Sequence, residues 1–237
     1  MQMAWCRRCR PRSTSASLTG PVIGKNNDYY YSQYSYLLAA RALRPRLPSQ
    51  PTGVSSNLRP ERLLYQQPGG LIEGSPGVFY GEASFGNGTQ LVFSVTTQGS
   101  TSTLASFQAN IESMLVSGSN GRYYSSVQPR GQLVTPFSVT SAPGSQQVYS
   151  AQTFASSFSQ NLPDGSLLGG AGWNGIDYVI TCSLDGAVTP AYQFPPNQVL
   201  LSPVIYGNDG NYYGVEADTS NPAGYAARCS ARLPIVL

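Results

Sequence analysis

Val78-Phe79-Tyr80-Gly81-Glu82-Ala83-Ser84-Phe85, then Gly86-Asn87-Gly88-Thr89, then Gln90-Leu91-Val92-Phe93-Ser94-Val95-Thr96-Thr97 is the stretch that decides the fold class. Two runs rich in β-branched and aromatic residues flank an Asn-Gly pair, the strongest short-range hairpin signal a sequence carries. In the second run Leu91, Phe93 and Val95 alternate with Val92, Ser94 and Thr96. That period of two predicts a half-buried strand.

Outward from this hairpin the chain reads as β from about Leu63 to its end. Strands are expected at Leu133–Thr140, Val148–Phe158, Asp177–Leu184, Val199–Tyr206, Tyr212–Ala217 and Tyr225–Val236. Turn chemistry separates several of them: Pro163-Asp164-Gly165, Asp185-Gly186 and Gly207-Asn208-Asp209-Gly210. One helix is expected in a connection. Ser102 can cap it, Leu104, Phe107, Ile111, Met114 and Leu115 fall on one face, and Gly118 ends it. No internal repeat is apparent. The expected fold class is all-β, a β-sandwich or jelly roll with one short helix and an extended N-terminal arm. The expected divisions are a basic arm over 1–28, a Tyr/Pro-rich connector over 29–64 and the β-sandwich domain over 65–237.

Charge sharpens that division. Charged residues make up 11% of the chain, against a usual ~25%. Residues 1–62 hold ten basic residues against Asp28 and Glu61, whereas the remainder holds four arginines against nine carboxylates. Such asymmetry points to a partner for the basic part. Surfaces that are polar but uncharged suit a protein that meets neighbours over much of its area, since burying a hydroxyl costs less than burying a charge.

The chain has no histidine, which removes the Ser-His-Asp and Cys-His arrangements and imidazole metal sites. Cys6 and Cys9 form one Cys-x-x-Cys in the arm, and Cys182 and Cys229 stand alone in expected strands. A tetrahedral metal site needs four ligands, so these read as incidental thiols, and no metal or cofactor is expected. Cys182 and Cys229 read as buried free thiols, with pairing left open. No apolar run long enough to span a membrane occurs, so no membrane partner is expected.

The arm carries the sharpest motif: Arg7, Arg8, Arg10 and Arg12, followed by Lys25. Guanidinium groups on an extended segment neutralise phosphates without reading sequence, so these five are the candidate nucleic-acid-binding residues. The competing reading is a solvated tail. Asn87-Gly88-Thr89 fits a glycosylation acceptor, but the hairpin turn accounts for the same residues. Trp173 sits in the glycine-rich run 169–175, read as a loop that packs its aromatic or offers it to a ligand. Asp164, Asp177, Asp185, Asp209, Glu216 and Asp218 are the remaining acid–base candidates, and most lie in turn sequences where Asp serves its own backbone. No catalytic residue is assigned and an enzyme is not expected.

The layout resembles coat proteins of small non-enveloped icosahedral viruses. That resemblance implies a capsid-forming structural protein of the virion, many copies associating with one another or with other structural proteins. The arm would contact nucleic acid or neighbouring subunits. Two alternatives stay open: a surface-exposed β-sandwich, extracellular or on a cell surface, that binds carbohydrate or protein, such as an adhesin, fibre or decoration protein; or an accessory subunit of a large cellular complex.

Overall fold

The computed structural model describes residues 67–84, 88–98, 100–111, 113–150, 155–220 and 226–233, with Lys25 and four two-residue strands ahead of them. Those strands are β1 (Val22–Ile23), β2 (Tyr29–Tyr30), β3 (Ala40–Arg41) and β4 (Asn57–Leu58), paired β1 with β2 and β3 with β4. The first full sheet runs β5 (Gln67–Glu73), β6 (Val78–Ser84), β7 (Gln90–Thr96) and β8 (Thr101–Phe107). The second holds β9 (Ala109–Ile111) and β10 (Val116–Ser117), which share one edge of β11 (Tyr123–Pro129), then β12 (Thr135–Val139) and β13 (Gln147–Val148). The third is β14 (Ala155–Asn161), β15 (Leu167–Trp173), β16 (Ile176–Cys182) and β17 (Val188–Gln193). In the fourth, β18 (Gln198–Leu200) and β19 (Ile205–Tyr206) share one edge of β20 (Tyr212–Asp218), and β21 (Ala226–Leu233) takes the other.

Every pairing is antiparallel and joins strands consecutive in sequence, or, for β9 with β11 and β18 with β20, strands one short strand apart. A jelly roll would instead pair strands distant in the chain. The expected hairpin forms, its register placing Ser84 opposite Gln90 and Val78 opposite Thr96, while residues 85–87 lie outside the described residues. The all-β expectation therefore stands, and the helix does not. Residues 101–107 and 109–111 are strands, and no helix occurs among the described residues. Thr101, Ser102 and Thr103 suit a pleated surface better than a helix. Met114, placed on the helix's apolar face by the sequence reading, is 56% exposed.

A repeat also emerges that the sequence reading misses. The turn between the first two strand positions of each sheet closes with the same backbone bond. Gly74, Gly118, Leu162 and Gly207 N–H donate to the carbonyls of Val78, Arg122, Ser166 and Asn211, at 3.1, 2.7, 2.7 and 2.8 Å. Gly77, Gly121, Gly165 and Gly210 complete these turns with φ of 75, 76, 89 and 78°, a conformation only glycine adopts cheaply. Two large residues follow each of these glycines after one intervening position, and adjacent strand residues point to opposite faces. The pairs therefore serve two layers at once. Tyr80 packs with Tyr123 between the first and second sheets, Tyr124 with Leu167 between the second and third, and Leu168 with Tyr212 between the third and fourth. The Tyr80 and Tyr123 rings stack with centroids 4.1 Å apart.

Close approach explains the glycine-rich run 169–175, which is a strand and hairpin turn rather than a loop. A Cβ on Gly169 would lie 2.3 Å from the Ser157 carbonyl oxygen of β14. Trp173 pairs with Ile176 across Asn174-Gly175, whose φ values of 50 and 76° define a tight two-residue turn.

Candidate functional site

With both faces of the middle sheets covered, ligands are left with the sheet ends. Two clefts open there. The first, about 540 Å³, lies between the first and second sheets and is lined by Gly88, Gln108, Ala109, Asn110, Gln128, Pro129, Arg130 and Gly131. Its floor is the pairing of β9 with β11, Asn110 opposite Gln128 and Ala109 opposite Pro129. The chain reverses just beyond, Gln132 N–H donating to the Pro129 carbonyl at 2.9 Å with Gly131 at φ 72°. Gln108 Nε2 donates to Thr89 Oγ1 at 2.7 Å, tying the cleft's rim to the hairpin of the first sheet. Asn110 and Arg130 are exposed, and no carboxylate is among the lining residues. The lining thus offers amide donors and acceptors and one guanidinium.

The second cleft, about 440 Å³, is lined by Gln160, Asn161, Leu162, Pro163, Tyr206, Gly207 and Asn208 between the third and fourth sheets. It lies at the ends carrying the repeated turns, opposite to the first cleft. Its amide is committed: Tyr206 N–H donates to Gln160 Oε1 at 2.8 Å and Gln160 Nε2 donates to the Tyr206 carbonyl at 3.1 Å. Ser159 Oγ likewise donates to the Val204 carbonyl at 2.6 Å. These side chains hold two sheets together, as Gln108 does at the rim of the first cleft; what the first cleft adds is an exposed guanidinium, Arg130.

The acid–base candidates are taken up by their turns. Asp164 accepts from Ser166 N–H at 2.9 Å and Oγ at 2.7 Å, which lowers its pKa. Asp185 accepts from Ser183 Oγ and is lowered in the same way. Asp209 accepts from Tyr213 and Asn211, which brings it to about 2. Asp218 accepts from Ser220 N–H at 2.8 Å and Oγ at 2.6 Å. Asp177 Oδ2 accepts from Leu200 N–H at 2.7 Å, joining the third sheet to the fourth. Glu216 lies within β20. The structure does not bring these carboxylates into one site. No group of three or more His, Cys, Asp or Glu placed to hold a metal occurs among the described residues. Cys182 is a buried free thiol, pushed up to about 12 first by burial and then by Asp185.

Of the arm residues, Arg7, Arg8, Arg10 and Arg12 lie outside the described residues. Lys25 is docked on the first sheet: its Nζ donates to the Gly74 carbonyl at 2.9 Å and its backbone N–H to the Glu73 carboxylate. Trp173 is 42% exposed at the tip of its hairpin.

One titratable group escaped the sequence reading. Glu82 on β6 is 7% exposed, facing the second sheet beside Tyr80. Burial pushes its carboxyl up to about 8, against the opposing pull of a Ser125 hydrogen bond. Its Oε1 is buried with no hydrogen-bond partner. The only signal in the sequence is a carboxylate interrupting an apolar strand.

No protein-family model and no curated protein matches the chain. Solved structures do. A Mycobacterium tuberculosis puromycin-hydrolyzing peptidase matches over 90% of this chain with 13% identity and a TM-score of 0.58. Prolyl oligopeptidase B from Galerina marginata matches over 90% with 11% identity and a TM-score of 0.54. The chain spans 37% of the length of each of these peptidases. A putative gluconolactonase matches over 94% of both chains with 14% identity and a TM-score of 0.50. These likenesses concern the fold, and they overturn the capsid reading, because the structures this chain resembles are those of cellular proteins rather than viral coats. The virion location and the capsid-forming function fall with it. The resemblance rests on a basic arm followed by a β-domain, an arrangement that does not distinguish a jelly roll from sheets in series.

Proposed function

We propose that the chain is a propeller-type β-scaffold whose role is recognition rather than catalysis, with the cleft at Gln108, Asn110, Gln128 and Arg130 as its ligand seat. The propeller reading is supported by four antiparallel meanders in series, stacked face to face, whose equivalent glycines fall at 77, 121, 165 and 210; such a spacing suits one blade per repeat. The observation that carries the recognition reading is the cleft's lining, which gathers three amides and one guanidinium without a carboxylate. Amides pair with neutral polar groups in both directions, and the guanidinium adds preference for an anionic end. The favoured ligand is a small amide-bearing molecule or peptide end with a carboxylate.

Titrating N-acetylglycine and N-acetylglycinamide while following backbone amide resonances tests this. N-acetylglycine should bind more tightly, shift residues 108–110 and 128–131, and lose its advantage in Arg130→Gln. Equal absence of shifts there removes the cleft from consideration. Turnover of peptide amides or lactones by the purified chain would overturn the non-catalytic reading. The basic arm is a separate proposal, a polyanion contact resting on the charge asymmetry alone.

A further inference from the structure

We propose that the oxygen cluster formed by Glu82, Ser113, Ser125 and Ser126 is a binding site for a small monovalent cation, sodium-sized, held between the first two sheets. Ser113 Oγ lies 3.1 Å from Ser125 Oγ and 3.5 Å from Ser126 Oγ. Ser125 donates its single hydroxyl proton to the Ser113 carbonyl, at 2.6 Å. That one proton is shared between the Ser113 carbonyl and Glu82, whose carboxyl the Ser125 hydrogen bond pulls down. A carboxyl proton or an outside positive charge would supply what Ser125 leaves unmet. Its second oxygen, Oε1, is buried and without a partner, and an unpaired buried carboxylate oxygen costs several kcal/mol.

The surroundings select the ion. Ser113, Ser125 and Ser126 are at most 9% exposed, and with Glu82 they supply oxygen alone, the ligand set of hard cations. The titratable neighbours in this layer among the described residues are Tyr80 and Tyr123, and burial pushes the Tyr123 hydroxyl up to about 12, so it stays neutral. Arg122 is engaged elsewhere, with Nε donating to Ser138 Oγ at 2.7 Å. Among the described residues, Glu82 is the one carboxylate in the cluster. A monovalent cation leaves the buried site neutral, whereas a divalent one leaves an uncompensated charge. Proton and cation compete for the same carboxylate.

The test compares thermal unfolding in sodium chloride with choline chloride at equal ionic strength, near pH 6 and near pH 9. Near pH 9 sodium should raise the melting temperature by about 2–4 °C over choline. Near pH 6, where the proton holds the site, the difference should shrink, and Glu82→Gln should abolish it at both. Broadening of the sodium-23 resonance by the wild-type chain, relieved on acidification, reads occupancy without any variant. Identical melting in sodium and choline at both pH values, with no broadening, overturns the proposal. A larger shift with calcium chloride overturns the monovalent assignment.

Discussion

Gln160 and Tyr206 exchange two hydrogen bonds, so that one side-chain amide plays the part of a strand backbone between the third and fourth sheets. Each such bond is worth about 1 kcal/mol net. Gln160→Ala should destabilise the chain by about 2 kcal/mol. Gln160→Glu, which keeps the acceptor and loses the donor, should do comparable harm at neutral pH and less in acid. Urea denaturation with an unchanged slope checks both.

Glu82 makes stability depend on pH in a direction opposite to that of most carboxylates. Its folded pKa is raised to about 8 from an ordinary 4.5, so the folded state holds a proton that the unfolded chain has released. Its contribution is full below about pH 4.5, falls as pH rises and is exhausted near pH 8, amounting to several kcal/mol. In choline buffers, unfolding free energy should decline across that window, and Glu82→Gln should flatten the decline. A wild-type profile that rises from pH 5 to pH 8 would falsify the assignment of a buried, protonated carboxyl.

Gly169→Ala tests the close approach of β14 and β15. The new methyl would meet the Ser157 carbonyl oxygen at 2.3 Å, a backbone atom that cannot swing aside. The expected loss is about 1–3 kcal/mol or more. Gly172→Ala, whose methyl would lie 3.5 Å from Asp177 Oδ1, is the tolerant control. Equal melting temperatures for the two variants would contradict the packing.

If the arm contacts a polyanion, replacing Arg7, Arg8, Arg10 and Arg12 by Gln should lower the salt slope of single-stranded RNA binding by about 3, from ~0.7 per neutralised phosphate. Fluorescence anisotropy at several salt concentrations measures it. An unchanged slope assigns those arginines no role in such binding.

What the sequence made legible were the turns and the plainest strands. Asn87-Gly88 and Asp164-Gly165 demand reversals that no other local structure satisfies as well. The false helix has a specific cause. The ladder of β7 and β8 shifts register between Val92 and Phe93, and the edge laid along β11 is split into two short strands, β9 and β10. Such irregularities break the period of two, and the residues left apolar at 104, 107, 111 and 115 mimic a period near 3.6. The repeat was legible in principle: Gly77-Val78-Phe79-Tyr80-Gly81, Gly121-Arg122-Tyr123-Tyr124-Ser125, Gly165-Ser166-Leu167-Leu168-Gly169 and Gly210-Asn211-Tyr212-Tyr213-Gly214 share one pattern. It is hard to see because its second position varies freely and its two large positions accept Tyr, Phe or Leu. The cleft was not legible, since Gln108 and Gln128 meet only through pairing across the second sheet and its neighbour. Nor was the Glu82 cluster, whose oxygens come from three separate segments.

The alternation of large residues between layers has a consequence for how the chain can be cut. Leu168 and Val179 belong to the third sheet and Phe194 directly follows it, but the surface that shields them from water includes Tyr212 of the fourth and Val204 just ahead of β19. Trimming the last sheet would therefore injure the one before it. Folding cooperativity in such an array passes from neighbour to neighbour like a row of coupled spins, so its weakest interface, rather than its average sheet, sets where the row first comes apart.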